Sequence, residues 1–231
     1  MSTYKHIFFD LDHTLWDYDA NATVSLTELY HAHGMSGYGR FSPEQMVDNF
    51  FEVNAELWEL YNAHKIGKDD IRAMRFPRIF EKMKVPLTFL PDGFEEEYVA
   101  LCPTKTKTFP NAHDILAYLK DKYQLHIITN GFNSIQKCKL ESAGLAEFFQ
   151  TVITSESSAA RKPHPKIFEF AFQLTGASPN DSLMIGDNLT SDIAGAINMK
   201  MDHIWFNPQR KKSNIEIHQE VVNLLSLKDI L

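Results

Sequence analysis

Residues 6–15 read His-Ile-Phe-Phe-Asp-Leu-Asp-His-Thr-Leu, an apolar run that ends in two aspartates. Further short apolar runs follow at residues 125–128, 151–153, 183–185 and 203–206. Each run is almost continuously apolar rather than alternating, which is typical of parallel strands covered on both faces. Segments with helical spacing separate the later runs. This order of elements predicts an α/β fold built on a doubly wound parallel sheet.

One long segment breaks the alternation of strands and helices. Residues 17–106 show no strand pattern, and helical spacing recurs at residues 24–33, 43–60, 69–83 and 93–101. A segment of about 90 residues is too long to be a simple crossover between two strands. We therefore expect an inserted, all-helical cap domain at residues 17–106 and a core domain made of residues 1–16 and 107–231. The tail after Pro208 is expected to be charged and then helical.

Carboxylates follow the first and fourth apolar runs. Asp10 and Asp12 come directly after the first run, and Asp187 and Asp192 follow the fourth. Ligands of open α/β sheets bind beyond the carboxyl ends of the strands, so these side chains are expected to meet at one edge. Carboxylate oxygens are ligands that Mg²⁺ prefers. The alternatives are a polar loop for the first pair and, for Asp192, a cap on the short helix that follows.

Two further segments would bring hydroxyl, amide and ammonium groups to the same edge. Thr129, Asn130 and Gly131 follow the second run, and the N–H groups of such a strand-to-helix junction suit phosphoryl oxygens. Lys162 precedes two prolines that start a helix, which would fix a cation beside an anionic site. Each segment alone is weak evidence, because Thr-Asn-Gly is common in turns and a lone lysine is usually a solvated surface charge.

These four segments, in this order, resemble the four motifs of the haloacid dehalogenase superfamily, and the resemblance covers the whole chain. It implies a Rossmann-like core and a phosphatase in which Asp10 attacks phosphorus and forms an aspartyl-phosphate. Asp12 would protonate the leaving oxygen and then activate water. Mg²⁺ would be held by Asp10, the backbone carbonyl of Asp12, and Asp187.

The same resemblance assigns the remaining motif residues. Thr129, Asn130 and Lys162 would bind the phosphate, and Lys162 would also screen charge between nucleophile and phosphate. Asp192 would support them by orienting the lysine or a metal-bound water. The carboxylate at Asp12 favours phosphate chemistry, because dehalogenases of the superfamily lack it and halide leaves without a proton.

The helical insertion resembles the cap of the pyrimidine 5′-nucleotidase branch of that superfamily. A nucleoside monophosphate needs a flat apolar surface for its base and polar groups for the edge of the base. The candidate substrate contacts are Asn54, Trp58, Arg75 and Phe76. The alternative for Trp58 and Phe76 is that they form the core of a helical cap. The leading hypothesis is a 5′-nucleotidase acting on (deoxy)nucleoside monophosphates, with pyrimidine bases preferred.

Other activities are open on the same residues. One is a phosphatase for another small metabolite, such as a sugar phosphate or phosphoglycolate. Another is a phosphomutase, which would share Asp10 and Asp12 but return the phosphate to its substrate. A non-catalytic binding protein on this fold is disfavoured, because Asp10, Asp12, Lys162 and Asp187 are all intact.

Composition and charge argue against several classes of protein. The net charge of −7 is unlike that of a general nucleic-acid binder. The two cysteines do not suggest a disulfide framework and favour a reducing compartment. No apolar stretch approaches the roughly 20 residues that cross a bilayer. We expect a cytoplasmic monomer or weak dimer whose partner is a small phosphorylated metabolite, not nucleic acid or a membrane.

Overall fold

A computed structural model of the chain describes residues 4–231. These residues form two compact units. One unit consists of the described residues up to Tyr18 together with Thr106–Leu231, and the other consists of Asp19–Lys105. Each unit has buried apolar residues of its own.

The first unit is built on a six-stranded sheet. Its strands are β1 His6–Phe9, β2 Gln124–Thr129, β3 Thr151–Thr154, β4 Ser182–Gly186, β5 Asp202–Phe206 and β6 Gln219–Val221. The spatial order is β3-β2-β1-β4-β5-β6, and every neighbouring pair is parallel. The strand order reverses at β1, which creates the switch point where ligands bind in such sheets. The predicted doubly wound parallel sheet is confirmed.

The helices divide between the two units. Helix α1 Tyr18–Ala32 begins at a residue of the first unit and otherwise belongs to the second. The second unit also contains α2 Pro43–Asn62, α3 Lys68–Lys82 and α4 Phe94–Leu101. The first unit contains α5 Ala112–Lys120, α6 Asn133–Ser142, α7 Pro165–Thr175 and α8 Ala194–Asn198. Within residues 4–231, no helix combines the length and apolar character that a membrane span requires.

Burial on both faces of the sheet explains its apolar strands. All four residues of β1 are buried, and successive side chains of a strand point to opposite faces. On one face, Phe8, Ile128 and Met184 belong to a cluster with Phe168 of α7. Strands covered in this way have no solvent face, so their sequences do not alternate.

The second unit has an aromatic core. Phe76 of α3 lies edge-to-face against Phe94 of α4, with ring centroids 4.7 Å apart. Phe50 of α2 lies 5.1 Å from the ring of Tyr98 of α4. These contacts join three helices around one apolar centre. A capping box at Ser42 fixes the start of α2.

The start of one helix differs from the sequence-based prediction, and the start of another lacks a side-chain cap. Helix α1 begins at Tyr18 rather than at residue 24, because its buried face includes Asn21 and Ser25, small polar residues that hide the apolar spacing. Asn111 precedes α5 with a left-handed φ of 67°, and its side chain makes no capping bond. It donates instead to Asn223 Oδ1 at 3.3 Å.

The prediction of a charged and then helical tail is correct only in part, because it missed a strand. After Pro208 the chain forms β6, which pairs with β5 in the register Phe206 opposite Val221, and then a 3₁₀ helix at Leu224–Asp229. Only Val221 of β6 is buried. An edge strand of this kind takes its conformation from its neighbour, so its own residues carry no apolar pattern.

A buried pair of histidines lies within the sheet. His6 Nδ1 of β1 and His126 Nε2 of β2 are 3.1 Å apart, and the His126 ring lies 4.8 Å from that of Phe8. Burial lowers the pKa of His126 to about 4, and the neighbouring His6 adds to the effect. His126 is therefore neutral in the folded protein at pH 5, whereas an unfolded chain binds a proton there near pH 6.5.

This difference predicts a loss of stability in mild acid. Because the folded-state pKa lies below the unfolded one, the unfolded state binds more protons between about pH 6.5 and pH 4. We expect His126 to account for a loss of about 1–2 kcal/mol between pH 7 and pH 5. In His126→Phe, which keeps an aromatic ring beside Phe8, the loss should be smaller by that amount. Urea denaturation at both pH values measures it, and an equal loss in the two proteins would contradict the assignment.

Candidate active site

The carboxyl ends of three neighbouring strands form the edge that carries the site. Strand β1 lies between β2 and β4, and Phe9 is in register with Ile127 and Ile185. The segments that follow these strands therefore start side by side. Thr14 joins two of them, since its hydroxyl accepts a hydrogen bond from Asp187 N at 3.1 Å and lies 3.3 Å from Asp187 Oδ1.

A lysine is buried at the centre of this edge. Lys162 is 1% exposed, and its Nζ donates to Asp10 Oδ1 at 2.6 Å, to the carbonyl oxygen of Ile128 at 2.6 Å and to Asp192 Oδ1 at 2.8 Å. An ammonium has three donors, so all of them are used. Burial by itself would lower the pKa of Lys162, but Asp10 and Asp192 outweigh burial and raise it. Lys162 is therefore a cation.

The two carboxylate oxygens of Asp10 lie in different environments. Oδ1 accepts from Lys162, whereas Oδ2 accepts no hydrogen bond from any residue between 4 and 231. Burial raises the pKa of Asp10 to about 7, with Lys162 opposing the shift and Asp192 and Asp12 adding to it. Full ionisation of Asp10 at neutral pH thus calls for more positive charge than Lys162 supplies.

Asp10, Asp187 and Asp192 form an acidic cluster whose ligand atoms lie within 4.8 Å of one another. Burial raises the pKa of Asp187 well above its usual range, and the like charges of Asp192 and Asp10 add to the rise. Three carboxylates surround one ammonium, so a divalent cation would supply the missing charge. Within the described part of the chain, only the Thr14 hydroxyl donates to the Asp187 carboxylate, which leaves lone pairs for a metal ion.

Asp192 differs from the other two, because both of its oxygens are bonded. Oδ1 contacts Lys162 and accepts from the Ser191 hydroxyl at 3.1 Å, and Oδ2 accepts from Asn188 N at 3.0 Å. Asn188, not Asp192, caps the turn that follows, since its side chain accepts from the N–H groups of Thr190 and Ser191. The contacts of Asp192 suit a residue that holds the lysine in place.

The second aspartate of the first motif is held by α6. Asp12 Oδ1 pairs with Lys139 Nζ at 2.6 Å, and Oδ2 accepts from Gln136 Nε2 at 2.9 Å. Lys139 Nζ also lies 4.5 Å from the ring centroid of Trp16. Burial would raise the pKa of Asp12, but Lys139 and then Gln136 outweigh burial and lower it. Asp12 is therefore a carboxylate, and its side chain lies outside the acidic cluster.

The hydroxyl of Thr129 has both of its acceptor positions occupied. It accepts from Gln136 Nε2 at 2.8 Å and from Gly131 N at 3.1 Å. A hydroxyl has two lone pairs and one proton, so the proton of Thr129 is left to donate. A group that acts only as a donor suits an anionic oxygen.

The side chain of Asn130 binds the backbone of Lys162. Its Oδ1 accepts from Lys162 N at 2.7 Å, and its Nδ2 donates to the Lys162 carbonyl at 3.0 Å. The two bonds fix the segment that carries the buried lysine. Both polar ends of the side chain are therefore bonded, and phosphate contact by Asn130 stays a prediction.

Two glycines leave room for polar side chains of the site. A Cβ on Gly131 would overlap the side chain of Gln136, and a Cβ on Gly186 would overlap the carboxylate of Asp192. Close approach, rather than flexibility, therefore requires glycine at both positions.

Comparison with known proteins places this geometry in a family. Residues 4–200 match the family model of haloacid dehalogenase-like hydrolases. The chain belongs to this family. It is 33% identical to the pyrimidine 5′-nucleotidase PynA of Streptococcus pneumoniae, over 99% of this chain and 94% of that protein. It is 32% identical to a glyceraldehyde 3-phosphate phosphatase of Pyrococcus abyssi, over 87% and 81% of the two chains.

A solved structure supports the same family. The HAD-hydrolase YfnB of Bacillus subtilis, in a crystal structure bound to magnesium, matches with a TM-score of 0.86 and 25% identity over 98% of both chains. The predicted membership of the haloacid dehalogenase superfamily and the resemblance to pyrimidine 5′-nucleotidases are thus confirmed. This chain is a hydrolytic enzyme of that superfamily.

In this haloacid dehalogenase-like hydrolase, every core residue predicted from sequence lies at the one sheet edge. The sequence analysis missed Gln136 and Lys139, which contact Asp12 from positions three apart on α6. Residues at that spacing lie on the same face of a helix, so the pattern was present. It was not informative, because glutamine and lysine are usually exposed, whereas Gln136 is 0% and Lys139 5% exposed.

The predicted substrate residues of the helical unit are mostly interior. Arg75 donates to Asn54 Oδ1 at 3.3 Å and to Glu95 Oε1 at 2.7 Å, and both Asn54 and Arg75 are buried. Phe76 is 1% exposed and belongs to the aromatic core, as the alternative interpretation of the sequence had it. Trp58 is only partly buried. Substrate contact by these residues stays a prediction.

Gly186→Ala should destabilise this hydrolase by forcing the Asp192 carboxylate away from Lys162. We expect a loss of about 1–3 kcal/mol in the free energy of unfolding, which is typical when a well-packed interior gains an atom. Urea denaturation of the variant measures the loss.

Gly37→Ala is the matched control, because an added Cβ at Gly37 would meet nothing within 4 Å. Its stability should stay close to that of the unaltered protein. If the two variants behaved alike, close packing at Gly186 would not explain the glycine.

Proposed function

We propose that this chain is a Mg²⁺-dependent phosphomonoester hydrolase that works through an aspartyl-phosphate on Asp10. The observation that carries the proposal is the asymmetry of the Asp10 carboxylate. Lys162 binds Oδ1 at 2.6 Å, and Oδ2 has no hydrogen bond from residues 4–231. One oxygen is thus oriented by a cation while the other is open for attack on phosphorus.

The first step would transfer the phosphoryl group to Asp10. Its Oδ2 would bond to phosphorus as the bond to the leaving oxygen breaks, and the electron pair of that bond would stay on the leaving oxygen. Lys162 would offset negative charge on both the nucleophile and the phosphoryl group. In the second step, water would attack phosphorus, release inorganic phosphate and restore Asp10.

Asp12 is the candidate for proton transfer in both steps. As a carboxylate beside Lys139, it is in the correct form to accept a proton from the attacking water. In the first step it would need a proton to give to the leaving oxygen. A phosphomonoester monoanion could bring that proton, since the second pKa of such esters is near 6.

The phosphoryl oxygens would be bound by donors at the same edge. The Thr129 hydroxyl has only its proton to offer, because Gln136 and Gly131 occupy its lone pairs. Asn130 is the second predicted phosphate residue, and Lys162, whose three protons are already bonded, would contribute its positive charge. Donors that are already in place cost no reorganisation when charge develops, which is how such sites stabilise a transition state.

A divalent cation fits the oxygen-only cluster. Asp10, Asp187 and the backbone carbonyl of Asp12 would hold Mg²⁺, which when bound would neutralise charge on the phosphoryl oxygens. The raised pKa values of Asp10 and Asp187 agree with this assignment, because a cation would favour their ionised forms. The magnesium-bound structure of the relative YfnB supports the choice of ion.

Asp10→Asn should abolish turnover, because a neutral amide does not attack phosphorus. We expect release of 4-nitrophenol from 4-nitrophenyl phosphate with Mg²⁺ to fall about 1,000-fold or more. The substituted side chain keeps its size and can still accept from Lys162, so the circular dichroism spectrum should not change.

The control is Asp121→Asn, an exposed aspartate at the end of α5 in the same unit, which should keep full activity. Addition of EDTA to the unaltered protein should stop the reaction, and excess Mg²⁺ should restore it. Retained activity in Asp10→Asn would disprove the nucleophile. Activity that persisted in the presence of EDTA would disprove the need for a metal.

The proposed substrates are (deoxy)nucleoside monophosphates, with pyrimidine bases preferred. The support is the similarity to PynA over nearly the whole of both chains. Of the predicted contacts, Trp58 is partly buried and would offer apolar surface to the base, and Asn54 and Arg75 would offer polar groups, whereas Phe76 lies in the aromatic core. The specific alternative is a sugar-phosphate phosphatase, which the Pyrococcus abyssi relative favours at similar identity.

A panel of phosphorylated metabolites at saturating Mg²⁺ separates these alternatives. We expect kcat/KM for pyrimidine nucleoside monophosphates to exceed that for sugar phosphates and phosphoglycolate by about 10-fold, equivalent to about 1.4 kcal/mol of binding to the base. Free phosphate is the measured product, so a strict phosphomutase would give none. If sugar phosphates gave the highest kcat/KM, the nucleotidase proposal would be wrong and the phosphatase proposal would stand.

The proposal extends to the setting of the enzyme. Within residues 4–231, neither Cys102 nor Cys138 forms a disulfide, as is usual in the reducing cytoplasm. We propose a cytoplasmic enzyme that acts as a monomer or weak dimer on small metabolites.

A further inference from the structure

Gln136 lies at the junction between the candidate proton-transfer residue and the candidate phosphate-binding residue. It is 0% exposed, on the first turn of α6. Its Nε2 donates to Asp12 Oδ2 at 2.9 Å and to Thr129 Oγ1 at 2.8 Å. An amide nitrogen carries two protons, so one proton goes to each partner.

The position of the Asp12 carboxylate depends on this contact. Oδ2 is held by Gln136 and Oδ1 by Lys139, so each oxygen has a donor from the same helix. The partners are 124 and 127 residues away from Asp12 in the chain. With both oxygens fixed, the side chain is limited to one orientation.

The orientation of the Thr129 hydroxyl depends on the same amide. Without Gln136, only Gly131 N would occupy a lone pair, and the Thr129 proton would be free to rotate toward other acceptors. Gln136 therefore sets two groups at once. One is the side chain that would handle protons, and the other is a donor to the phosphate.

The surrounding chain reserves space for this side chain. A Cβ on Gly131 would overlap the Gln136 side chain, so a larger residue at position 131 would displace that side chain. The Gln136 Oε1 is buried and has no hydrogen-bond partner in the described part of the chain. An unsatisfied buried acceptor lowers stability. The carbonyl oxygen of the Gln136 side chain therefore lowers stability, and the NH₂ group makes the hydrogen bonds of this side chain.

We propose that Gln136 is a positioning residue, which places Asp12 for delivery of a proton to the leaving oxygen while it orients Thr129 toward the phosphate. The inference rests on the proposed function, because it assumes that Asp12 carries out this transfer. As the bond from phosphorus to the leaving oxygen breaks, its electron pair stays on that oxygen, which takes the proton that Asp12 has accepted from the substrate monoanion. Asp10 forms the new bond to phosphorus in the same step.

A matched pair of substrates isolates this role. Phenyl phosphate and 4-nitrophenyl phosphate have almost the same shape, but phenolate is a poorer leaving group than 4-nitrophenolate and needs protonation more. A variant that misplaces Asp12 should lose more kcat/KM on phenyl phosphate than on 4-nitrophenyl phosphate. A variant that is only less well folded should lose both by the same factor.

The test variant is Gln136→Met, which keeps the length of the side chain and removes the NH₂ group. We expect kcat/KM for phenyl phosphate to fall about 10-fold further than kcat/KM for 4-nitrophenyl phosphate, within the range that positioned proton transfer contributes. Lys137→Met is the control, since Lys137 is the next residue of α6 and its side chain is 75% exposed. It should leave the ratio of the two substrates unchanged.

Two further variants distinguish a failure of the inference about Gln136 from a failure of the proposed proton transfer by Asp12. Gly131→Ala should shift the ratio of the two substrates in the same direction, because it displaces the Gln136 side chain. It replaces Gln136→Met as the test variant if that protein does not fold. Asp12→Asn should give the largest shift. If Asp12→Asn shifts the ratio and both Gln136→Met and Gly131→Ala leave it unchanged, the inference about Gln136 is wrong and the proposed function stands. If Asp12→Asn also leaves the ratio unchanged, proton transfer by Asp12 is wrong and the inference falls with it.

Discussion

The buried ammonium of Lys162 is the interaction on which the site depends. A buried cation is stable only when each of its protons meets an acceptor and its charge is paired. Lys162 meets this condition through Asp10 after β1, the Ile128 carbonyl on β2 and Asp192 after β4. Three neighbouring strands must therefore end at fixed heights around one nitrogen. Asn130 adds to the constraint by binding the backbone of the lysine on both sides.

Two lysines give the two neighbouring aspartates different properties. Lys162 is shared between Asp10 and Asp192. At Asp10 the effect of burial on the pKa therefore exceeds that of Lys162, and the pKa rises to about 7. Lys139 pairs with Asp12 at 2.6 Å, so the ion pair prevails there and lowers the pKa. Residues only two positions apart in the chain are thus prepared for different proton states. For Asp10 to attack as a carboxylate, a cation beside it would have to lower its pKa, whereas Asp12 is already ionised and can accept a proton.

The helical unit holds a buried polar cluster beside its aromatic core. Arg75 lies 5.2 Å from the ring centroid of Tyr98 and pairs with Glu95, whose pKa burial raises to about 7 against the opposing charge of Arg75. Relatives at 33% and 32% identity are named for a nucleotide and for a triose phosphate as substrates. One fold evidently serves different substrates, so specificity has to be traced to particular side chains.

By itself, the sequence determined the parallel sheet and the residues at its edge. Strands buried on both faces have continuous apolar runs, and in a parallel sheet the residues that follow each run meet at one edge, so Asp10, Thr129 and Asp187 could be placed from local pattern. Lys162 was placed by the resemblance of the four motifs to a known family. Only the tertiary structure decided what these residues contact. Gln136 and Lys139 contact Asp12 across 124 and 127 residues of chain. The side chain of Asn130 binds the backbone of Lys162, 32 residues away. Contacts over such separations are set by how helices pack on the sheet, and local periodicity carries no record of that packing.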